Sequence, residues 1–89
     1  MRLDKVEIYS DATNAAVLRH PDRKFPGVLV QGDTLYLMAK QADEICNGVD
    51  ADSPVYEEAE DLRDRLWDLV NHYKTTLTAH SISLPFAPD

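Results

Sequence analysis

The sequence predicts an α+β fold: a small antiparallel sheet of two or three short strands packed against two antiparallel helices, the second of them long. Three observations carry that expectation. Short runs of strand character, 3–9, 15–19 and 28–31, occupy the first part of the chain. A loop with two prolines and a glycine separates the second run from the third, which makes them neighbours in a sheet. From residue 33 onward, apolar residues recur twice at helical spacing. At 89 residues the chain is too short for two large cores, so a single domain over 1–89 is expected. Its parts are a β-rich segment 1–32, helices at about 34–46 and 54–79, and an irregular tail 81–89.

The first strand rests on the alternation in LDKVEIY, where Asp4, Val6 and Ile8 point opposite to Leu3, Lys5, Glu7 and Tyr9. AAVLR, 15–19, is an apolar second strand. HPDRKFPG, 20–27, is a loop, because Pro21, Pro26 and Gly27 interrupt regular backbone. VLVQ, 28–31, is β-branched and follows a Pro-Gly turn. Asp33 reads as the N-cap of the first helix, its carboxylate accepting from a first-turn amide. Leu35, Met38, Ala42 and Ile45 then form one stripe, and Gly48 is placed to end the helix in the left-handed region. Ser53 and Pro54 read as N-cap and first residue of the second helix. Val55, Ala59, Leu62, Leu66, Leu69, Tyr73 and Leu77 give the clearest stripe in the chain. They imply a helix of about 25 residues, roughly 37 Å long. Ile82, Leu84 and Phe86 alternate in the tail and are expected to fold back over the core.

Charge narrows the function classes. Nine Lys+Arg stand against 16 Asp+Glu, a net charge of −7. So acidic a chain is poorly suited to nucleic acid, whose phosphates need cations. One cysteine excludes an internal disulfide framework and a multi-cysteine zinc site. No apolar run approaches the ~18 residues of a membrane span, and the N-terminus lacks the apolar block of a signal peptide. A cytoplasmic protein that does not engage a membrane is therefore expected.

No catalytic constellation emerges, and neither a cofactor nor a metal is expected. Cys46 falls within the apolar arc of the first helix, near its C-terminus, where the dipole opposes a thiolate. It reads as a small buried hydrophobe. Asp68 and His72 are one turn apart, but His80 lies two turns further on and rotated away, which leaves a metal without a third ligand. Gly32-Asp33 offers one glycine and a carboxylate where a phosphate would sit, so a phosphate-cradling loop is excluded.

Two surfaces stand out as binding candidates. On the long helix, Glu57, Asp61, Asp64 and Asp68 share one face opposite the apolar stripe. A solvated face needs polarity, not one sign of charge. Glu57 with Asp61 and Asp64 with Asp68 are like-charge pairs at i, i+4 that cost a helix a few tenths of a kcal/mol each, and Asp61 with Arg65 offsets only part of this. One-signed charge does speed association with a basic partner. The second candidate is the block from Arg19 to Asp33, in which Arg19, Arg23, Phe25, Gln31 and Asp33 are the contact residues. Arg and aromatic side chains are those favoured at interface hot spots. Trp67 lies off the stripe centre, either covering a sheet edge or anchoring a partner.

The block containing Asn14, Arg19, Pro21, Arg23, Phe25-Pro26-Gly27 and Gln31-Gly32-Asp33 resembles the signature of an uncharacterised bacterial family of small stand-alone proteins. The resemblance covers about 20 residues, and the long helix in general character. It implies a bacterial, cytoplasmic protein and carries no activity with it. In size and charge alone the chain is also similar to small acidic immunity proteins that neutralise basic toxins.

The reading that follows is a non-enzymatic protein-binding domain, an immunity protein or antitoxin that docks a basic partner through its acidic helix face. A small ligand-binding or regulatory protein using the Arg19–Asp33 block is the alternative. A homodimer through the long helix is a third expectation, since that helix overhangs its partner.

Overall fold

The structure, a computed structural model, describes residues 1–87. The element order is β1 (Glu7–Ser10), β2 (Ala16–Arg19), β3 (Gly27–Leu29), α1 (Gly32–Gly48) and α2 (Tyr56–Ala79). A three-stranded antiparallel sheet and two helices, the second longer, make this an α+β protein. The chain divides into two compact units, one ending at Gln31 and the other beginning at Gly32.

The sheet has the order β1-β2-β3. Ala16 pairs with Leu29, Val17 with Val28 and Leu18 with Gly27. On the other side Glu7 pairs with Arg19 and Ile8 with Leu18, then the register slips so that Ser10 meets Val17. Tyr9 is the extra residue of that irregularity, which rotates the end of β1. The first strand begins at Glu7, not near residue 3, because only from Glu7 onward does β2 supply partners. β3 is also shorter and earlier than expected, Gly27–Leu29 in place of 28–31. The central strand β2 is half-buried along its length, while every residue of β1 and β3 is exposed.

The second unit is an antiparallel helical hairpin. Its buried apolar residues are small: Ala39, Ala42 and Cys46 on α1 and Val70 on α2. Small side chains let two backbones approach closely, and many short contacts then replace a few long ones. The bulky stripes flank this seam. Leu35, Leu66 and Tyr73 are half-buried, whereas Met38, Ile45, Leu62 and Leu69 are 42–54% exposed. Met38, Ile45 and Leu62 line one groove together, and the residues the hairpin buries fully are the small ones.

One flank of the hairpin is closed by an aromatic cluster. Trp67 donates from Nε1 to Asp43 Oδ1 at 2.9 Å and meets Tyr36 edge-on, with centroids 6.0 Å apart at 89°. The tail returns to the same place, where Phe86 stacks on Tyr36 at 4.2 Å and lies 6.3 Å from the Tyr73 ring. Leu84 is half-buried with it, while Ile82 remains exposed; the tail's last residues, 88–89, lie outside the described residues. Trp67 therefore works within the hairpin, its indole N–H satisfied by the partner helix.

Helix ends differ from the sequence reading in instructive ways. α1 begins at Gly32, and Asp33 is already helical; its Oδ1 accepts from the adjacent Thr34 amide at 2.8 Å. Gly32 is buried because the Tyr73 ring occupies the space a Cβ would need. Gly48 stays helical, with Val49 N–H bonded to the Ile45 carbonyl at 3.0 Å, and no described glycine has positive φ. A turn from Asp50 to Ser53 stops the chain instead, through Ser53 N–H to Asp50 C=O at 2.8 Å. Ser53 and Pro54 form a turn before α2, which begins at Tyr56 without a side-chain cap.

α2 ends in a two-bond cap. Ile82 N–H reaches the Leu77 carbonyl at 2.9 Å and Ser81 N–H reaches Thr78 at 3.1 Å. That pattern needs a left-handed residue at its second position, here Ser81 with φ 58°. A serine there carries a cost glycine does not.

Two substitutions check this account. Gly32→Ala should destabilise the protein by about 1–3 kcal/mol in urea denaturation, because the added methyl must displace the Tyr73 ring from between two helices. Ser81→Gly should raise stability by about 0.5–1 kcal/mol, since the cap geometry is kept and the strain removed. A Gly32→Ala protein as stable as the parent would mean that Tyr73 does not pack there.

Candidate functional site

The four carboxylates of the expected acidic face lie on α2. Glu57, Asp61, Asp64 and Asp68 are all exposed. Among the described residues, Arg63 is engaged there. Its Nε donates to Asp64 Oδ1 at 3.1 Å and its Nη2 lies 3.7 Å from Glu60 Oε2. The hydrogen bond to Asp64 is the main cause that raises the Arg63 guanidinium above its ordinary pKa, ahead of the opposing desolvation. Among the described residues no ion pair joins Asp61 to Arg65, so Glu57, Asp61 and Asp68 keep their charge undivided.

The hairpin also has an open aliphatic flank. A shallow groove of about 200 Å³ is lined by Met38, Gln41, Ala42, Ile45, Leu62 and Leu66, with no charged side chain among them. Leu69, exposed by 54%, continues the apolar strip along α2. At 100° per residue, Asp61 and Asp68 sit about 100–120° around the helix from Leu62, with Arg65 and His72 at the angles between. The apolar strip escaped sequence reasoning because its residues were assigned to the core. Their size was the available signal, since they are too large for the seam.

The residues of the block from Arg19 to Asp33 differ in what they engage. Arg19 Nε donates to Glu7 Oε1 at 2.6 Å, and Nη2 contacts the same carboxylate. That hydrogen bond and the Glu7 charge raise the Arg19 guanidinium above its ordinary pKa. The pair follows from register, which sets Glu7 opposite Arg19. Gln31 is exposed, and Asp33 lies in α1. Arg23 and Phe25 do converge, in a groove of about 470 Å³ over β2 and β3 that also takes in His20, Lys24, Leu18 and Leu29. The loop that carries them is turned by Arg23 N–H to His20 C=O at 3.0 Å. His20 Nδ1 accepts from Asp22 N–H at 3.1 Å. Lys24 Nζ lies 5.4 Å from the Phe25 ring centroid, and Phe25 is 73% exposed.

Cys46 is a free, buried thiol in the helix seam. Among the described residues no group of three or more His, Cys, Asp or Glu side chains is placed to hold a metal ion, Asp68 and His72 included. No described helix is long and apolar enough to cross a membrane.

No curated protein and no solved structure matches the chain. One family does match, over residues 1–86, and so over nearly the whole sequence. The chain belongs to that family, DUF6959, a family of unknown function.

Proposed function

We propose that this chain is a non-enzymatic protein-binding domain that docks a basic protein partner on the α1–α2 hairpin. The observation that carries the proposal is the pairing of two surfaces on that hairpin. An apolar strip with Met38, Ile45, Leu62 and Leu69 exposed shares the hairpin with the exposed acidic face of Glu57, Asp61, Asp64 and Asp68. Interfaces combine an apolar centre that excludes water with a charged rim that guides encounter. Exposed strips of large aliphatic side chains mark interaction sites in small proteins. The like-charge pairs Glu57 with Asp61 and Asp64 with Asp68 work against the helix, and a basic partner reverses that sign on binding.

The finer reading is a bacterial immunity protein or antitoxin acting in the cytoplasm on a basic toxin domain. The small size and the net charge of −7 support it. A second copy of this chain is a weaker occupant of the same strip, because the acidic faces of two copies repel.

Affinity purification from the native host, followed by kinetics with the recovered partner, tests the proposal. A strongly basic partner should be captured. Asp61→Asn with Asp68→Asn should slow association roughly two- to tenfold at low salt and flatten its salt dependence, leaving dissociation nearly unchanged. The same pair should keep or slightly raise stability, because each change relieves an i, i+4 repulsion. Leu62→Ser should instead speed dissociation. A partner whose binding ignores both sets of changes would exclude the hairpin as the docking surface.

A further inference from the structure

The groove over β2 and β3 combines three features that the acidic face does not explain. Its floor is apolar: Leu18 and Leu29 stand on the same face of the sheet, and Gly27, paired with Leu18, leaves a gap between them. Phe25 forms a wall, and a volume of about 470 Å³ is enough for a small organic molecule. At the rim stand two cations, Arg23 and Lys24, and neither makes an ion pair among the described residues. The acid nearest in sequence, Asp22, is 3.7 Å from Arg2 instead. In a chain of net charge −7, two unpaired cations beside an apolar groove are a local inversion of sign.

We propose that this groove binds a monomeric amphiphilic carboxylate, with its apolar body between Leu18, Phe25 and Leu29 and its carboxylate at Arg23 and Lys24. Apolar contact gives such a ligand its affinity, and the fork of a guanidinium beside an ammonium fixes its anionic end. The position of the Lys24 ammonium, 5.4 Å from the Phe25 ring centroid, places positive charge at the groove wall. The source is a free small molecule and not a bilayer. A membrane rich in anionic lipid meets the field of the whole acidic chain, whereas a single small anion meets the local field of the loop.

Gly27 makes the site testable without damage to the fold. A Cβ added there meets no atom within 4 Å, and Gly27 does not have positive φ. Gly27→Val therefore fills the groove floor while leaving the sheet intact. The experiment is an NMR shift titration of the full chain with octanoate, neutral octanamide and acetate, beside vesicles of phosphatidylglycerol. Octanoate should shift amides across 18–29 saturably. Octanamide should bind roughly fivefold or more weakly, and acetate should not bind. Arg23→Ala with Lys24→Ala should weaken octanoate by about tenfold and leave octanamide unchanged. Gly27→Val should abolish octanoate binding with the unfolding midpoint unaltered. Should Gly27→Val fail to fold, the exposed Arg23 and Lys24 pair still decides the matter. Equal binding of octanoate and octanamide, shifts spread beyond the groove, or a response to vesicles without one to octanoate would each overturn the proposal.

Discussion

The apolar side chains that the hairpin buries among the described residues are small, Ala39, Ala42 and Cys46 on α1 and Val70 on α2, and that constraint decides where the larger side chains of the hairpin go. A seam of small residues has no room for Leu62, Leu69, Met38 or Ile45. They move to one flank, where they remain exposed. The aromatic residues move to the other flank, where Tyr36, Trp67, Tyr73 and Phe86 find one another. Gly32 belongs to the same constraint. The Tyr73 ring takes the place of its missing side chain, so α1 begins in contact with the far part of α2.

The aromatic flank and the aliphatic flank differ in how they satisfy themselves. Trp67 has a donor that would be costly to bury alone, and Asp43 accepts it across the hairpin. Tyr36 and Phe86 stack nearly parallel, at 5°, which brings the tail back onto the helices. Nothing comparable closes the aliphatic flank among the described residues. Its one polar lining side chain is the Gln41 amide, and the rest of the lining is aliphatic.

Helix existence and helix length were legible in the sequence, because a period repeated over 55–77 leaves few alternatives. The packing face was not. Periodicity ranks residues by hydrophobicity, whereas close-packed helices choose by size, and alanine ranks low on the first scale and high on the second. Boundaries failed for a related reason. Asp33 and Gly48 carry local signals for a cap and a stop, but the Tyr73 contact and the Asp50–Ser53 turn overrode them. At the candidate sites, the four carboxylates and the pair Arg23 and Phe25 were visible by composition. Arg19 was not separable from them, because its neutralisation by Glu7 depends on strand register, which a one-residue slip would have changed.

Charge in this chain is distributed by segment and not only by sum. Residues 1–31 hold five Lys+Arg and four Asp+Glu, while 32–89 hold four against twelve. The excess over the helices sets the long-range field, which selects what approaches the protein at all. Short-range recognition obeys a different rule. Within a Debye length of about 8 Å, a ligand responds to the nearest unpaired groups, and near Phe25 those groups are cations. A protein with a uniform surface of the same net charge would repel small anions everywhere. Here the pairing of Asp22 with Arg2 and of Glu7 with Arg19 takes the nearest acids out of play, and Arg23 and Lys24 are left to act alone. In the two proposals one surface would meet a large cationic partner and the other a small anion, and the ion pairs of the loop and sheet leave Arg23 and Lys24 without an acidic partner among the described residues.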